Sequence, residues 1–232
     1  ADLRAENLSI TPAGVRFSAT FKGDPIGTFT VPLSGRHNAH NAMAAICTGL
    51  DLGVGVEVVR RSLAGFGGVG RRFERKGEKD GVSVVDDYGH HPTEVKAVLA
   101  AARESFPERR LVVVFQPHRY SRTRDQMGAF AQAFHGADAL VLMDIYAAGE
   151  APIPNIDAAA LLGRIKACGH RDARHEPDRA AVLRHLAATI QPGDVILTLG
   201  AGDVWRVGEA FLAGDTGADA PAAAGRAVGE GS

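Results

Sequence analysis

The amino-acid sequence predicts an α/β protein whose larger part is a doubly wound, mostly parallel sheet. From residue 82 onward, short runs of β-branched and apolar residues alternate with longer stretches of helical periodicity. Strands that are apolar on both faces belong under helices on both sides. Residues 1–68 read differently, as strands joined by tight turns and followed by two helices. The chain's 232 residues, 45% hydrophobic and 23% charged, suffice for a full-sized core and exclude wholesale disorder.

In order along the chain, Leu8 to Thr11, Val15 to Phe21 and Ile26 to Val31 are separated by Pro12-Ala13-Gly14 and Lys22-Gly23-Asp24-Pro25, which predicts a β-meander. Met43, Ile46, Cys47 and Leu50 then fall on one face of a helix from His37 to Leu52. A second helix is expected from Val56 to Ala64. Gly65 to Gly70 holds four glycines in six residues and reads as a hinge or domain boundary.

Beyond it, Val82 to Val85 is a strand, and the next helix carries Val95, Val98, Leu99, Ala102 and Phe106 on one stripe. Leu111 to Phe115 is a strand, followed by a helix around Asp125 to His135. Ala139 to Met143 is another strand, followed by helices from Asp157 to Ala167 and from Asp178 to Ile190. Gln191-Pro192-Gly193-Asp194 turns into the strand Val195 to Leu199, and a last helix ends near Ala213. The domain reading is therefore 1–68, 69–214 and a disordered tail over 215–232.

A net charge of −1, from 26 basic and 27 acidic residues, leaves no electrostatic footprint for nucleic acid or an anionic membrane. No apolar run is long enough to cross a bilayer, and no leader-like segment opens the chain. Cys47 and Cys168 lie far apart with no CxxC, so a reduced, cytoplasmic setting is expected, without a disulfide framework or structural zinc.

Ligands of open parallel sheets bind beyond the carboxyl ends of the strands. The segments that follow the strands here are Asp86 to Glu94, Gln116 to Arg124, Asp144 to Glu150 and Gly200 to Asp203. Five of the nine histidines (His37, His40, His90, His91, His118) fall in or beside polar segments of this kind, which points to a site without naming its reaction. Asp86 and Asp87 read either as strand-end capping acids or as site carboxylates. His90-His91-Pro92 reads as a helix start, with Pro92 where a missing N–H is harmless. No HExxH or HxH spacing supports a metal site. Three arginines and a histidine between Gln116 and Arg124, with no acid among them, read as an anion site. Gly200-Ala201-Gly202 suits either a phosphate cradle or close strand-to-helix packing. Asn38 and Asn41, one helical turn apart, present two uncharged amides suited to an adenine edge or a ribose, or else merely cap the helix. Arg71-Arg72 stands just past the glycine run, either as a solvated pair or as a guanidinium for a phosphate.

Gly35-Arg36-His37-Asn38-Ala39-His40-Asn41, Arg71-Arg72-Phe73-Glu74, Asp86-Asp87-Tyr88-Gly89-His90-His91-Pro92-Thr93-Glu94 and Phe115-Gln116-Pro117-His118-Arg119-Tyr120-Ser121-Arg122-Thr123 together resemble the Mur ligases, the ATP-dependent amide-forming enzymes of bacterial peptidoglycan synthesis. The resemblance runs in order over about residues 1–213, and the two longest segments most resemble the L-alanine-adding branch. It implies that 1–68 is the end of a central P-loop ATPase domain and that 69–214 is a Rossmann-like domain delivering the amino acid. None of Lys22, Lys76, Lys79, Lys96 and Lys166 follows a glycine, so the phosphate-binding loop is not in this chain. The expectation is a fragment, inactive alone, whose N-terminal part would supply the UDP-sugar domain and the Mg2+ ligands.

The resemblance further implies ATP as cosubstrate, with UDP-N-acetylmuramate and L-alanine as the joined partners through an acyl phosphate. Asn38 and Asn41 would meet adenine, Arg72 the γ-phosphate and Asp87 the ribose. Tyr88, His90, His118, Arg119 and Arg122 would surround L-alanine and the acyl phosphate, with Arg72, His90 and His118 the catalytic group. Two alternatives stand beside it: a ligase of the same family that recycles a murein tripeptide, and a non-catalytic nucleotide-binding module.

Overall fold

The computed structural model describes residues 2–218. Strands β1 (Leu3–Thr11), β2 (Gly14–Phe21) and β3 (Asp24–Val31) form the expected antiparallel meander, in the order β1-β2-β3. Gly14 is required at its turn: its φ is +142°, and a Cβ there would lie 2.2 Å from the Val31 carbonyl oxygen. Helices α1 (Arg36–Asp51) and α2 (Val56–Ala64) cover one face of this sheet. Val15, Phe17, Phe29 and Val31 meet Ala39, Ala42, Ile46 and Val59 in a core of their own. The buried stripe of α1 is therefore Ala39, Ala42 and Ile46, one position round from the expected one. Met43 and Leu50 flank it half-buried, because the alanines let the helix axis approach the sheet.

The second sheet has six strands: β4 (Glu74–Lys79), β5 (Val82–Asp87), β6 (Leu111–Phe115), β7 (Ala139–Leu142), β8 (Ala173–His175) and β9 (Val195–Leu199). Their order is β4-β5-β9-β6-β7-β8, all parallel except β4, which pairs antiparallel with β5. Neither β4 nor β8 was expected from the sequence. Strand β4, Glu-Arg-Lys-Gly-Glu-Lys, is an edge strand without an apolar face, and its cue is the Asp80-Gly81 hairpin turn. Strand β8 is only three residues long.

The sheet is wound on both faces. Val85, Val113, Leu140 and Leu197 pack against α3 (Pro92–Ser105), α5 (Met127–Ala131) and α6 (Ala158–Ala167). Val84, Val112, Val141 and Ile196 pack against α7 (Arg179–Thr189) and α8 (Trp205–Ala213). The single helix expected around Asp125 to His135 is instead two short ones, α4 (Tyr120–Asp125) and α5, broken at Gln126. Part of the expected tail is ordered against α7: Arg184 Nη1 donates to the Gly217 carbonyl at 3.0 Å. The remainder of 215–232, from residue 219, lies outside the described residues. No helix among the described residues is long and apolar enough to cross a membrane.

The two sheets meet where α1 begins. Ser34 and Ser105 hydroxyls hydrogen-bond, and Arg36 Nε approaches Glu104 Oε1 at 3.7 Å. Gly35, with φ of +100°, sits so close to α3 that a Cβ would lie 2.8 Å from that of Ala101.

Candidate active site

Parallel pairing aligns the strand ends. Asp87 is in register with Leu199, Leu199 with Phe115, Phe115 with Leu142 and Leu142 with His175. The four polar exits expected from the sequence therefore leave one rim of one sheet.

On the side of this rim facing α1 lies a cleft of about 800 Å3. Its apolar wall includes Leu33, Ala42, Leu63, Phe66 and Val69, and its polar end is made by His37, Asn38, Asn41, Arg72, Asp87 and Glu94. The structure thus brings Asn38, Asn41, Arg72 and Asp87 to one cavity. The two amides are not equivalent. Asn38 is buried, with Nδ2 donating to the Ser34 carbonyl at 2.8 Å and Oδ1 accepting from Asn41 Nδ2 at 3.3 Å. Asn41 is exposed and keeps its oxygen without a partner among the described residues.

The adjacent carboxylates and arginines divide in the same way. Asp86 Oδ2 accepts from Arg71 Nε at 2.8 Å, and Asp86 Oδ1 accepts from the Thr198 hydroxyl at 2.7 Å. Arg71 also donates to the carbonyls of Gly200 (2.6 Å) and Gly202 (3.0 Å), so the Asp86–Arg71 pair braces the rim. Arg72 makes no hydrogen bond or ion pair among the described residues, and its guanidinium lies 5.5 Å from the centre of the Tyr88 ring. Asp87 accepts from the backbone N–H of Phe73 (2.8 Å) and of Gly89 (2.7 Å), which makes it a capping acid as well as a wall of the cleft. Burial pushes its carboxyl up to about 6, against the two N–H donors and Arg72, which pull it down.

The loop between β5 and α3 is shaped by a capping box. His91 Nδ1 accepts from Thr93 N–H at 3.3 Å, and Glu94 Oε2 accepts from the N–H of His90 and His91. Burial would raise Glu94, but those two N–H groups, with His90 and Arg72 nearby, hold it below the usual carboxylate value. His91 is therefore a helix cap. His40 is exposed on α1 and is absent from the cleft wall, while burial and Arg72 keep His37 below an ordinary imidazole.

Beyond Tyr88 the rim carries a row of rings. Tyr88 meets His90 edge-on at 5.3 Å, and His90 meets His118 at 5.8 Å. His118 in turn lies parallel to Tyr146 at 5.5 Å. Burial, then Arg122, His90 and Arg119, lower the pKa of His118, which favours its neutral form. Arg122 Nη1 reaches His118 Nδ1 at 3.1 Å, and the guanidinium of Arg119 has no partner among the described residues. Arg119 itself takes φ of +73° where α4 starts. The acid missing from this segment arrives from the next exit, but it binds a hydroxyl: Glu150 accepts from Ser121 N–H (2.9 Å) and Oγ (2.6 Å).

Tyr146 was not singled out from the sequence, which showed it only as one residue of the exit after Met143. Its contact with His118 depends on β6 and β7 being neighbours. Gly200 and Gly202 serve close packing, since a Cβ at Gly200 would stand 2.7 Å from the Gln116 carbonyl oxygen and one at Gly202 only 2.3 Å from Gln116 Oε1. Among the described residues, no three His, Cys, Asp or Glu side chains converge as a metal site would need. The described side chains do not by themselves form a Mg2+ site.

Known proteins resemble this chain over most of its length. Residues 71–202 match the family described as Mur ligase, glutamate ligase domain. The UDP-N-acetylmuramate–L-alanine ligase of a Geobacter species is 51% identical over 212 residues, which are 91% of this chain and 46% of that protein. The enzyme of the same name from Anaeromyxobacter dehalogenans is 54% identical over 213 residues, 92% of this chain and 46% of that protein. The crystal structure of UDP-N-acetylmuramate–alanine ligase from Thermotoga maritima superposes with a TM-score of 0.76 at 27% identity, covering 91% of this chain and 45% of that one. The chain spans about half the length of the curated relatives it matches.

Proposed function

The chain belongs to the Mur ligase family, and from that premise we propose that it is part of an ATP-dependent ligase joining L-alanine to the carboxylate of UDP-N-acetylmuramate, in the cytoplasm. Residues 1–68 are read as the end of the nucleotide-binding domain and 69–214 as the domain that delivers the amino acid. The observation that carries the reading is the adjacency of two unlike sites on one rim, with the Tyr88–His90–His118 row running from the Arg72 cleft to the Arg119–Arg122 pair.

In this reading Asn41, backed by Asn38, faces adenine, Asp87 the ribose and Arg72 the γ-phosphate. The UDP-N-acetylmuramate carboxylate attacks the γ-phosphorus, the bond to ADP breaks, and an acyl phosphate forms. The amine of L-alanine then attacks the acyl carbon, and the carbon–oxygen bond to phosphate breaks. Arg119 and Arg122 hold the carboxylate of L-alanine or the anionic oxygens of the acyl phosphate, because charge grows on those oxygens in the transition state. His90 accepts a proton from the amine.

The test is phosphate release by the complete enzyme offered single L-amino acids and a murein tripeptide. Release with L-alanine is the expected result; release only with the tripeptide points to the recycling ligase. ATP titrated calorimetrically into this chain alone should bind weakly, since most phosphate contacts are expected upstream, and tight binding would favour a stand-alone nucleotide module.

A further inference from the structure

We infer that Tyr146 is a positioning residue that holds the His118 ring where Arg122 sets it in its Nε2–H form, opposite a His90 in its Nδ1–H form, so that the rim presents one bare ring nitrogen and one N–H donor side by side. The use made of this pair rests on the amide-forming reading above; the pair itself rests on heavy-atom positions.

His90 Nδ1 lies 3.0 Å from the Tyr88 carbonyl oxygen. A carbonyl oxygen only accepts, so in the neutral ring Nδ1 carries the proton and Nε2 the lone pair. His118 Nδ1 lies 3.1 Å from Arg122 Nη1. A guanidinium only donates, so there the lone pair is on Nδ1 and the proton on Nε2. The two ring centres are 5.8 Å apart.

Tyr146 covers the second of these rings, and its own place is fixed by its backbone and by Gly202. Its own ring lies on His118 with an interplanar angle of 9°. Its N–H donates to the Pro117 carbonyl and its carbonyl accepts from Arg119 N–H, each at 2.8 Å, so its peptide groups bracket His118 in the chain. Gly202 forms the floor, where a Cβ would stand 2.8 Å from the Tyr146 ring. The charged or titratable groups facing His118 are Arg119 and Arg122 from its own loop, His90 from the β5 exit, and Glu150 with Tyr146 from the β7 exit.

Two protons must leave the ammonium group of an amino acid as it becomes an amide. The first passes to His90 Nε2, making an imidazolium and freeing the lone pair that bonds to the acyl carbon. The second leaves with the phosphate when the tetrahedral adduct collapses and its carbon–oxygen bond breaks. His118 Nε2–H keeps its proton and hydrogen-bonds an anionic oxygen of that adduct.

Histidine ring nitrogens of the 15N-labelled chain, assigned through their couplings to ring protons, report both forms directly. Expected are a protonated Nδ1 in His90 and a protonated Nε2 in His118. Tyr146→Phe keeps the His118 form, whereas Tyr146→Ala mixes its two forms and moves its titration toward an ordinary imidazole, with His90 unchanged. Should Tyr146→Ala lose its dispersed amide spectrum, Tyr146→Leu, which fills the space without an aromatic face, serves the same purpose. The same protonated nitrogen in both histidines, or a His118 form indifferent to both variants, overturns the inference. In the complete enzyme, Tyr146→Ala lowers kcat about a hundredfold and moves the L-alanine KM less, with recovery in Tyr146→Phe. If the ring nitrogens are as expected but no amino acid supports phosphate release, it is the ligase reading that falls.

Discussion

Arginine has opposite fates at the two rims of the sheet. At the rim where the strands begin, the guanidinia of Arg103, Arg109 and Arg110 are held by the protein itself. Arg109 donates to the carbonyls of Gly81, Gly193 and Asp194 and to the Ser83 hydroxyl. Arg103 donates to the carbonyls of Gly136 and Arg109 and to Asp138, while Arg110 pairs with Asp194 and approaches Asp172. At the rim where the strands end, Arg71 is held in this way and Arg124 pairs with Asp125, whereas among the described residues Arg72 and Arg119 find no carboxylate and Arg122 reaches only the His118 ring nitrogen and carbonyl. A guanidinium has five N–H donors, and leaving them unmatched beside one another is unfavourable without an anion. On the proposed reading, the difference separates arginines that hold the fold from arginines left free for a ligand.

The comparison can be broken most directly at Arg109. Arg109→Ala should destabilise the chain by about 3–4 kcal/mol, read from the urea midpoint, because four acceptors between β5, β6 and β9 lose one shared donor. An effect below about 1 kcal/mol would mean that these contacts do not brace the rim.

Asp87 sharpens the contrast through pH. Its folded value of about 6 exceeds the ordinary 3.8, so between those values the folded chain binds a proton that the unfolded chain does not. Its contribution to stability is therefore complete below about pH 4 and is lost as pH rises through about 6. Relative to Asp87→Asn, the parent chain should gain about 2–3 kcal/mol between pH 7 and pH 4, measured by denaturant titration at each pH. Glu94 and Asp138, held low, work in the opposite direction in both proteins and cancel in the difference.

Arg119→Ala should do the reverse of Arg109→Ala. Stability should change by no more than about 0.5 kcal/mol, while the complete enzyme should lose about thirtyfold in apparent L-alanine affinity. Unchanged affinity would reassign the carboxylate to another group. Gly202→Ala should cost about 1–2 kcal/mol by thermal unfolding. The new methyl there meets the Gln116 side chain and the Tyr146 ring rather than backbone.

Most of the layered fold was legible because burial on both faces leaves a simple mark: Leu111 to Phe115 and Val195 to Leu199 are unbroken apolar runs. Strand β4 was not, since an edge strand with one partner needs no apolar face. The Asp80-Gly81 turn was its available cue. Histidine clustering located the rim but could not sort its members. His91 serves as a helix cap, a role that depends on the local backbone, whereas His118 acquires its neighbours only when β6 lies between β9 and β7. Likewise, Asp86 and Asp87 look alike in one dimension. Alternation across β5 sends one to Arg71 and Thr198 and the other to the cleft.

The triple anchorage of Arg71 has a mechanical corollary. Because its side chain is pinned to Asp86, Gly200 and Gly202, any swing in the glycine run before it must pivot on the near side of residue 71. Arg72, Tyr88 and both imidazoles then travel as cargo of one rigid body. Their mutual alignment is settled when the chain folds, before anything moves in the glycine run.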